Sequence, residues 1–345
     1  MEARNDMPRI KRFYSLVPHS LDRVELRYGV WNAVSHTVAD ESGSGTLYPI
    51  LQHLNGSFTP KEISRKLGVP LREIEALLDH LEGLDVLETS SSSALDYFLD
   101  TVGSWRSEPD ATRAASVVLL GDGDLCAAIR GYMQPSLDGK PVEMALPGDA
   151  ASAALSDPDR SWLFDGLELE SRLAVFEHWR GSFIVHAEKA VNPLASQALN
   201  RVCAELRVPW MNVALDGPFL IVGPIFVPHR TACFECLELR VTMNLRENGS
   251  YQRYKQALAE GEVRRGPLAI EPALLGILAS HAALEALNFA LTGYSFTLGK
   301  VLTIYLPTME FNFNEVLRAP TCPACGCVPE RDASELYFGM EALAR

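Results

Sequence analysis

The sequence has no surplus of positive charge: 31 Lys and Arg stand against 44 Asp and Glu, a formal net charge of −13. Affinity for a phosphate backbone needs clustered Lys and Arg, so the charge argues against a general nucleic-acid binder and favours small-molecule or protein partners. Also absent is any stretch with the length and uniformity of a membrane span, and the opening MEARNDMPRIKRFY carries charge with no apolar run behind it. No membrane association and a cytosolic location are therefore expected. Disorder on a large scale is excluded by a composition of 47% hydrophobic and 22% charged residues, and 345 residues suffice for two or three domains with a sizeable core. Cysteine is scarce, at seven residues. An odd number would leave one unpaired in an oxidising compartment, whereas a reducing one suits thiolate ligands and free thiols.

Those few cysteines are the most informative residues present. Cys233 and Cys236 form a C-x-x-C pair in TACFECLELR, and Cys322 and Cys325 a second in APTCPACG. Two-residue spacing lets both thiolates of a pair face one metal ion, and two pairs complete a closed tetrahedral Zn(Cys)4 site, which is structural rather than catalytic. Roughly eighty-five residues separate the pairs, so the metal would clip two remote segments together and its binding free energy would become folding free energy. Unliganded buried thiols or a disulfide are the alternatives, and Cys327 stands close enough to replace Cys325. Cys126 and Cys203 lie in apolar surroundings and are expected in the core.

The pattern along the chain predicts an α/β protein with an α+β unit in front. Over residues 1–89, Val24, Leu26 and Tyr28 alternate with charged residues as a half-buried strand does, a second extended run follows around Asn32 to Val38, and a short third strand or turn is expected near Thr46 and Leu47. A helix is expected over Tyr48 to Leu54. Thr59-Pro60-Lys61-Glu62 carries the signature of a capped helix start closed by Gly68, and a third helix begins after Pro70. With a closing strand in DVLET, this is the architecture of a winged helix-turn-helix. Its third helix has more acidic than basic side chains, which would repel DNA; an exposed strand edge beside a helix can instead accept a peptide strand. The serine run of TSSSSALDYF marks a linker over 90–113.

From residue 114 to 345, strands alternate with helices, which implies a Rossmann-type domain with a mostly parallel sheet. SVVLLG leads into Gly121-Asp122-Gly123-Asp124 and a helix, the position of a nucleotide-binding loop. A working cradle needs bare backbone N–H groups, whereas Asp122 and Asp124 place carboxylates beside the anion site. No ATP is expected on this chain.

On these residues the second domain resembles the ThiF/MoeB family of adenylating enzymes. GPIFVPHRTACFECL resembles the family's strand and first zinc pair, EPALLGILASHAALEALNFALTG its apolar helix with Pro272, Gly276 and the closing Leu291-Thr292-Gly293, and APTCPACG its second pair. The resemblance fails at the active site, where Asp124 replaces a loop glycine and Glu188 is a loose counterpart of the magnesium ligand. A winged-helix unit ahead of such a domain is similar to the leader-peptide-binding component of azoline-forming cyclodehydratases, from linear azole-containing peptide, cyanobactin and thiopeptide pathways. The front unit resembles the RiPP recognition element.

The resemblance implies a non-catalytic partner. It would bind the leader of a ribosomal precursor peptide and present the core to a separate YcaO-family cyclodehydratase, which heterocyclises Cys, Ser or Thr to azolines. It further implies that the leader lies along the third strand and third helix, at Ser44, Gly45, Thr46, Leu47, Arg72, Ile74, Glu75, Leu78 and Asp79. Two alternatives remain: an active ThiF-like adenylyltransferase acting on a peptide carboxylate, and a zinc-stabilised winged-helix regulator. His229 is a candidate donor to a zinc thiolate or an exposed loop residue, and Tyr251 to Lys255 a polar loop. The helix from Pro272 to Leu291 is apolar nearly all round, which suggests a homodimer.

Overall fold

The computed structural model describes residues 7–31, 33–88, 114–137, 141–145, 149–157, 159–264, 266 and 269–326. The chain divides into two compact units, Met1–Arg106 and Ser107–Arg345. The expected linker over 90–113 and Cys327 lie outside the described residues.

In the first unit, β1 (Ser15–Ser20), β2 (Arg23–Tyr28) and β3 (Val34–Ala39) form an antiparallel sheet in that order. Helices α1 (Leu47–His53), α2 (Pro60–Leu67) and α3 (Leu71–Gly83) follow. The capping box forms as the sequence predicts: the Thr59 hydroxyl accepts from Glu62 N at 3.3 Å and the Glu62 carboxylate accepts from Thr59 N at 2.8 Å. Gly68 stops α2 in a left-handed conformation, φ 66°. One core joins Val24, Leu26 and Val38 from the sheet to Ile50, Leu51, Ile63, Ile74, Leu78 and Leu81 from the helices.

Two expectations for this unit are corrected, and one strand was not expected. No strand forms at Thr46 and Leu47; Thr46 precedes α1, and Leu47 is its first residue and is buried. Among the described residues DVLET supplies only an isolated bridge, Ile10 to Leu87, and its first residue, Asp85, is left-handed at φ 55°. The sheet's first strand, β1, escapes a reading by alternation. Most of its residues are exposed and it contains Pro18, which an edge strand tolerates because it needs no N–H on its open side.

The second unit is built on a seven-stranded sheet, order β10-β9-β8-β7-β6-β4-β5. Its strands are β4 (Ser116–Gly121), β5 (Val142–Met144), β6 (Ser182–Glu188), β7 (Trp210–Asp216), β8 (Phe219–Phe226), β9 (Lys300–Tyr305) and β10 (Glu310–Glu315). Interspersed are α4 (Gly123–Met133), α5 (Ala150–Ser156), α6 (Gly166–Leu173), α7 (Pro193–Leu206), α8 (Phe234–Asn244), α9 (Asn248–Ala259) and α10 (Pro272–Thr292). The strands β5, β4, β6 and β7 are parallel, but β7 to β10 pair antiparallel, so the expected mostly parallel sheet is mixed. The cause is the tight link Gly217-Pro218 between β7 and β8, which leaves no room for a crossover helix and folds the two strands into a hairpin.

Both faces of the parallel half are covered, which explains its near-continuous apolar strands. On β4, Val117 and Leu119 face a cluster shared with α4 and α10, while Val118 and Leu120 face a cluster shared with α5 and α7. Helix α10 corrects the reading that no stretch reaches span length: it has 21 residues, an 18-residue window of it has a mean hydropathy of 1.5, and 56% of that window is buried within the fold.

Leu78 is 2% exposed, so Leu78→Ala removes core volume from the first unit. It is expected to destabilise that unit by about 2–5 kcal/mol, read as a lowered midpoint in denaturant unfolding.

Candidate functional site

The residues expected to hold a peptide separate into two groups. Arg72, Glu75 and Asp79 are exposed on α3, whereas Ile74 and Leu78, on the opposite face, are core residues at 0% and 2% exposure. They hold α3 against the sheet and cannot contact a ligand. At the Ser44 to Leu47 segment, local bonds take up the polar groups: Ser44 Oγ donates to the Asp40 carboxylate at 2.8 Å, and Gly45 N donates to Asp22 Oδ1 at 2.5 Å. Leu47 is buried. None of these four residues is on a strand edge.

The edge lies earlier in the chain. Among the described residues β3 pairs only with β2, with Leu26 opposite His36 and Val24 opposite Val38. Its other side carries a row of unpaired backbone groups, and most of its side chains are exposed. The β2–β3 turn that starts it is braced by Arg27, whose guanidinium donates to the carbonyls of Gly29 (3.2 Å) and Val30 (3.0 Å) and to the Glu25 carboxylate (3.1 Å). Alternation along 32–38 announces this strand but not that its outer side is open; that depends on which strand lies beside it.

In the second unit, topology singles out the carboxyl end of β4. From β4 the chain passes to β5 on one side and to β6 on the other, and such a switch point opens a crevice beyond the strand ends. Gly121 lies there at φ 127°, and a Cβ on it would stand 2.0 Å from the Ala187 carbonyl oxygen, so glycine is required for β4 and β6 to approach. The groups around this crevice pair with one another. Asp122 Oδ2 accepts from Lys189 N at 2.6 Å, Asp124 Oδ1 accepts from Leu125 N at 2.9 Å, and the Lys189 ammonium pairs with the Asp124 carboxylate. That contact with Lys189 holds Asp124 below the usual carboxylate range. Glu188 accepts from Asn192 N at 3.1 Å and faces His186 at 3.4 Å. A helix start that could receive an anion thus has a carboxylate on one of its amides and a neighbouring cation paired with it.

The two cysteine pairs meet. The sulfur atoms of Cys233, Cys236, Cys322 and Cys325 all lie within 4.8 Å of one another. Cys233 stands 3.9 Å from Cys236 and 3.6 Å from Cys322, and Cys236 stands 3.3 Å from Cys325. Thiolates about 2.3 Å from a tetrahedral ion lie roughly 3.8 Å apart, so the four are close enough to hold one. These separations are too long for S–S bonds, and the four are free thiols.

Neighbouring residues fix the ligand geometry. Asn200 and Arg201 of α7 set the first pair: Asn200 Oδ1 accepts from Phe234 N at 3.0 Å, and Arg201 grips the Glu235 carboxylate at 2.7 and 3.0 Å. Arg201 also donates to the Pro323 carbonyl at 3.2 Å, which ties in the second pair. Cys236 Sγ accepts from Ala319 N at 3.3 Å. At Gly326 a Cβ would stand 2.4 Å from Cys322 N, so no side chain fits the second knuckle.

Contact with Cys325 and then burial push the Cys233 thiol up, and burial pushes the Cys236 thiol up. Cys126 and Cys203 are buried elsewhere, as expected, and burial pushes the Cys126 thiol up to about 12. His229 is exposed in a turn. Tyr251 to Lys255, expected as a loop, belong to α9, where Tyr251 and Lys255 both donate to Glu238 of α8 at 2.7 Å.

No family model matches the chain. Over 129 residues, 37% of its length, it is 33% identical to Protein HesA of Leptolyngbya boryana and 32% identical to Protein HesA of a Nostoc species. The matched stretch covers 39% and 43% of those proteins, so the chain spans about two fifths of these curated relatives. In fold, it is similar to the heterocyclase TruD, with a TM-score of 0.64 at 22% identity over 93% of this chain and 43% of that one. It is also similar to E. coli MccB solved with ATP, with a TM-score of 0.52 at 14% identity over 92% of this chain and 99% of that one. The likeness to these structures is one of fold.

Elemental analysis of the purified chain is expected to find one divalent ion per chain, and Cys322→Ser to lose it and lower the melting temperature. Because the thiols must lose protons to bind, affinity falls as pH falls, which a competition titration with a chelator at several pH values would measure.

Proposed function

We propose that this chain binds the leader of a ribosomal precursor peptide and presents its core to a separate YcaO-type cyclodehydratase, without turning over nucleotide itself. In this reading the front unit is a winged-helix peptide-recognition domain and the ion held by the four thiols is a structural zinc. The observation that carries the proposal is the open edge of β3 on a compact unit with its own core. A peptide laid along that edge gains backbone hydrogen bonds in any sequence, while exposed residues of the strand add selectivity. Of the residues first implied, only exposed Arg72, Glu75 and Asp79 remain candidates for the neighbouring wall of such a groove. Tethering a leader raises the effective concentration of its core at the partner's site to the order of millimolar, so weak contacts with the core suffice.

The non-catalytic half of the proposal is supported by the crevice at the end of β4. Adenylation needs a cradle for polyphosphate and a free cation. Here Asp124 stands at the helix start and Lys189 is paired with it. A triphosphate entering this crevice would meet the Asp124 carboxylate and would have to displace it from Lys189, against like-charge repulsion of roughly 1–4 kcal/mol per close pair.

A second reading, a peptide-carboxylate adenylyltransferase, is favoured by the likeness to MccB, which extends over 99% of that chain and includes a structure with ATP. ATP–pyrophosphate exchange separates the two. The isolated, metal-loaded chain is expected to exchange at background, and exchange well above it would replace the first reading with the second.

The edge itself is tested by proline placement. Successive residues of β3 direct their N–H alternately toward β2 and outward, so proline at Ser35 or at His36 removes one kind or the other. The variant that melts like wild type has lost an outward donor. It is expected to bind a fluorescent leader about 10-fold or more weakly in polarisation measurements. Unchanged affinity in that variant would place the peptide elsewhere.

A further inference from the structure

The loop between α5 and α6 holds a cluster of hydrogen-bond donors without an acceptor. Among the described residues, six buried side-chain nitrogen or oxygen atoms have no hydrogen-bond partner, and three of them fall within three consecutive positions: Arg160 Nε, Arg160 Nη1 and Trp162 Nε1. All three are N–H donors. A single 3-10 turn over Ser161–Leu163, opened by Arg160, holds both residues. Trp162 is fully buried in the core that α5 shares with Phe176 and Trp179, whereas Arg160 is half-buried. The cluster is therefore sealed at the indole and reachable from solvent at the guanidinium.

Nearby carboxylates are already engaged. Asp157 Oδ2 accepts from Arg172 Nη1 at 2.7 Å, and Asp157 Oδ1 accepts from Asp159 N at 3.0 Å. Asp159 is exposed, and its Oδ1 accepts from Ser161 N at 2.9 Å. Arg172 lies against the indole, its guanidinium carbon 5.1 Å from the centre of the Trp162 ring. Asp157 thus offsets the charge of Arg172, and Arg160 is left with a positive charge that no hydrogen bond compensates. Burial pulls the Arg160 guanidinium below its ordinary range, and Asp157 offsets that only in part. A desolvated guanidinium without an acceptor is costly, and a sealed indole N–H beside it adds to the cost. One water accepts two hydrogen bonds at most and leaves a donor unmet. An acceptor with several oxygens meets all three.

We propose that Arg160 and Trp162 bind a small oxyanion, of the phosphate or carboxylate kind, with Arg172 as the second positive charge beside it. A guanidinium presents paired N–H groups that match two oxygens of either anion, and the indole N–H is a further donor that fixes its position. None of these residues belongs to the crevice after β4, to the thiol cluster or to the first unit, and nothing about the site depends on peptide binding. Because the oxyanion binds the folded chain, it stabilises the second unit by mass action: above saturation, each tenfold rise in its free concentration lowers the unfolding equilibrium constant about tenfold.

The test is unfolding of the full metal-loaded chain in millimolar phosphate, sulfate or acetate, against chloride at matched ionic strength. Protection beyond chloride is expected, by phosphate and sulfate alone if the ligand is tetrahedral and by acetate as well if it is a carboxylate. Arg160→Met is expected to lose that protection, and it also controls for the general stabilising effect of phosphate and sulfate on folded chains. Since this variant exchanges an uncompensated charge for an apolar chain of similar length, it is expected to be at least as stable as wild type in chloride and less stable at saturating oxyanion. Trp162→Phe keeps a ring in the core and removes the N–H, and is expected to weaken the oxyanion about 10-fold by isothermal titration, a reading independent of the arginine. Equal protection of wild type and Arg160→Met overturns the proposal, as does an absence of protection beyond chloride. So does an Arg160→Met chain more stable than wild type in every buffer, which would leave the donors to water.

Discussion

Two stretches of chain eighty-nine positions apart meet at four sulfur atoms, and the two outermost strands of the antiparallel half of the large sheet are built between them. Helix α10 and strands β9 and β10 all lie in the closed loop, so the thiol cluster sets where that loop returns to the fold. A cation at the cluster would turn crowded, mutually disfavoured thiols into shared ligands, and its binding free energy would hold the C-terminal segment against α7 and α8. Arg201 shows how the second unit prepares for this. One guanidinium holds Glu235 inside the first pair and a carbonyl inside the second, so both knuckles are oriented from a helix that contributes no ligand.

At the other end of the same sheet, a similar economy of charge has a different result. The helix start after β4 has the position and glycine geometry of an anion site, yet its acidic side chains bond to the local amides and to the Lys189 ammonium. This internal pairing needs no ligand to be complete. It is consistent with a domain that has kept its scaffold and applies it to assembly rather than chemistry, and that view is the one proposed here.

Among the described residues each unit has a strand edge without a neighbouring strand, and the edges differ in character. That of β3 is mixed in polarity and starts from a turn braced by Arg27, features suited to an extended ligand of variable sequence. That of β10 alternates phenylalanine with asparagine between terminal glutamates. Backbone hydrogen bonding offers affinity at both; side chains determine which occupant each accepts.

What depends on spacing along the chain was legible in the sequence. The C-x-x-C pairs, the Thr59–Glu62 cap, the stop at Gly68 and the β4-glycine-α4 passage involve residues a few positions apart, whose geometry local rules govern. Periodicity also marked the helix from Leu71, but it could not tell its buried from its exposed members when a ligand was sought: Ile74 and Leu78 were expected at the peptide surface and are core. The run from Asn32 to Val38 was expected as a strand, but the peptide edge was placed near Thr46 and Leu47, because nothing local distinguishes the turn at Ser44 to Thr46, tied to Asp22 and Asp40, from a strand edge. By itself the sequence determined the two C-x-x-C pairs, the order of most elements and the acidic character of the loop after β4. Tertiary structure alone decided that the pairs converge, that half the sheet runs antiparallel and which strand edges lie open, since each depends on partners distant in sequence that chain order does not specify.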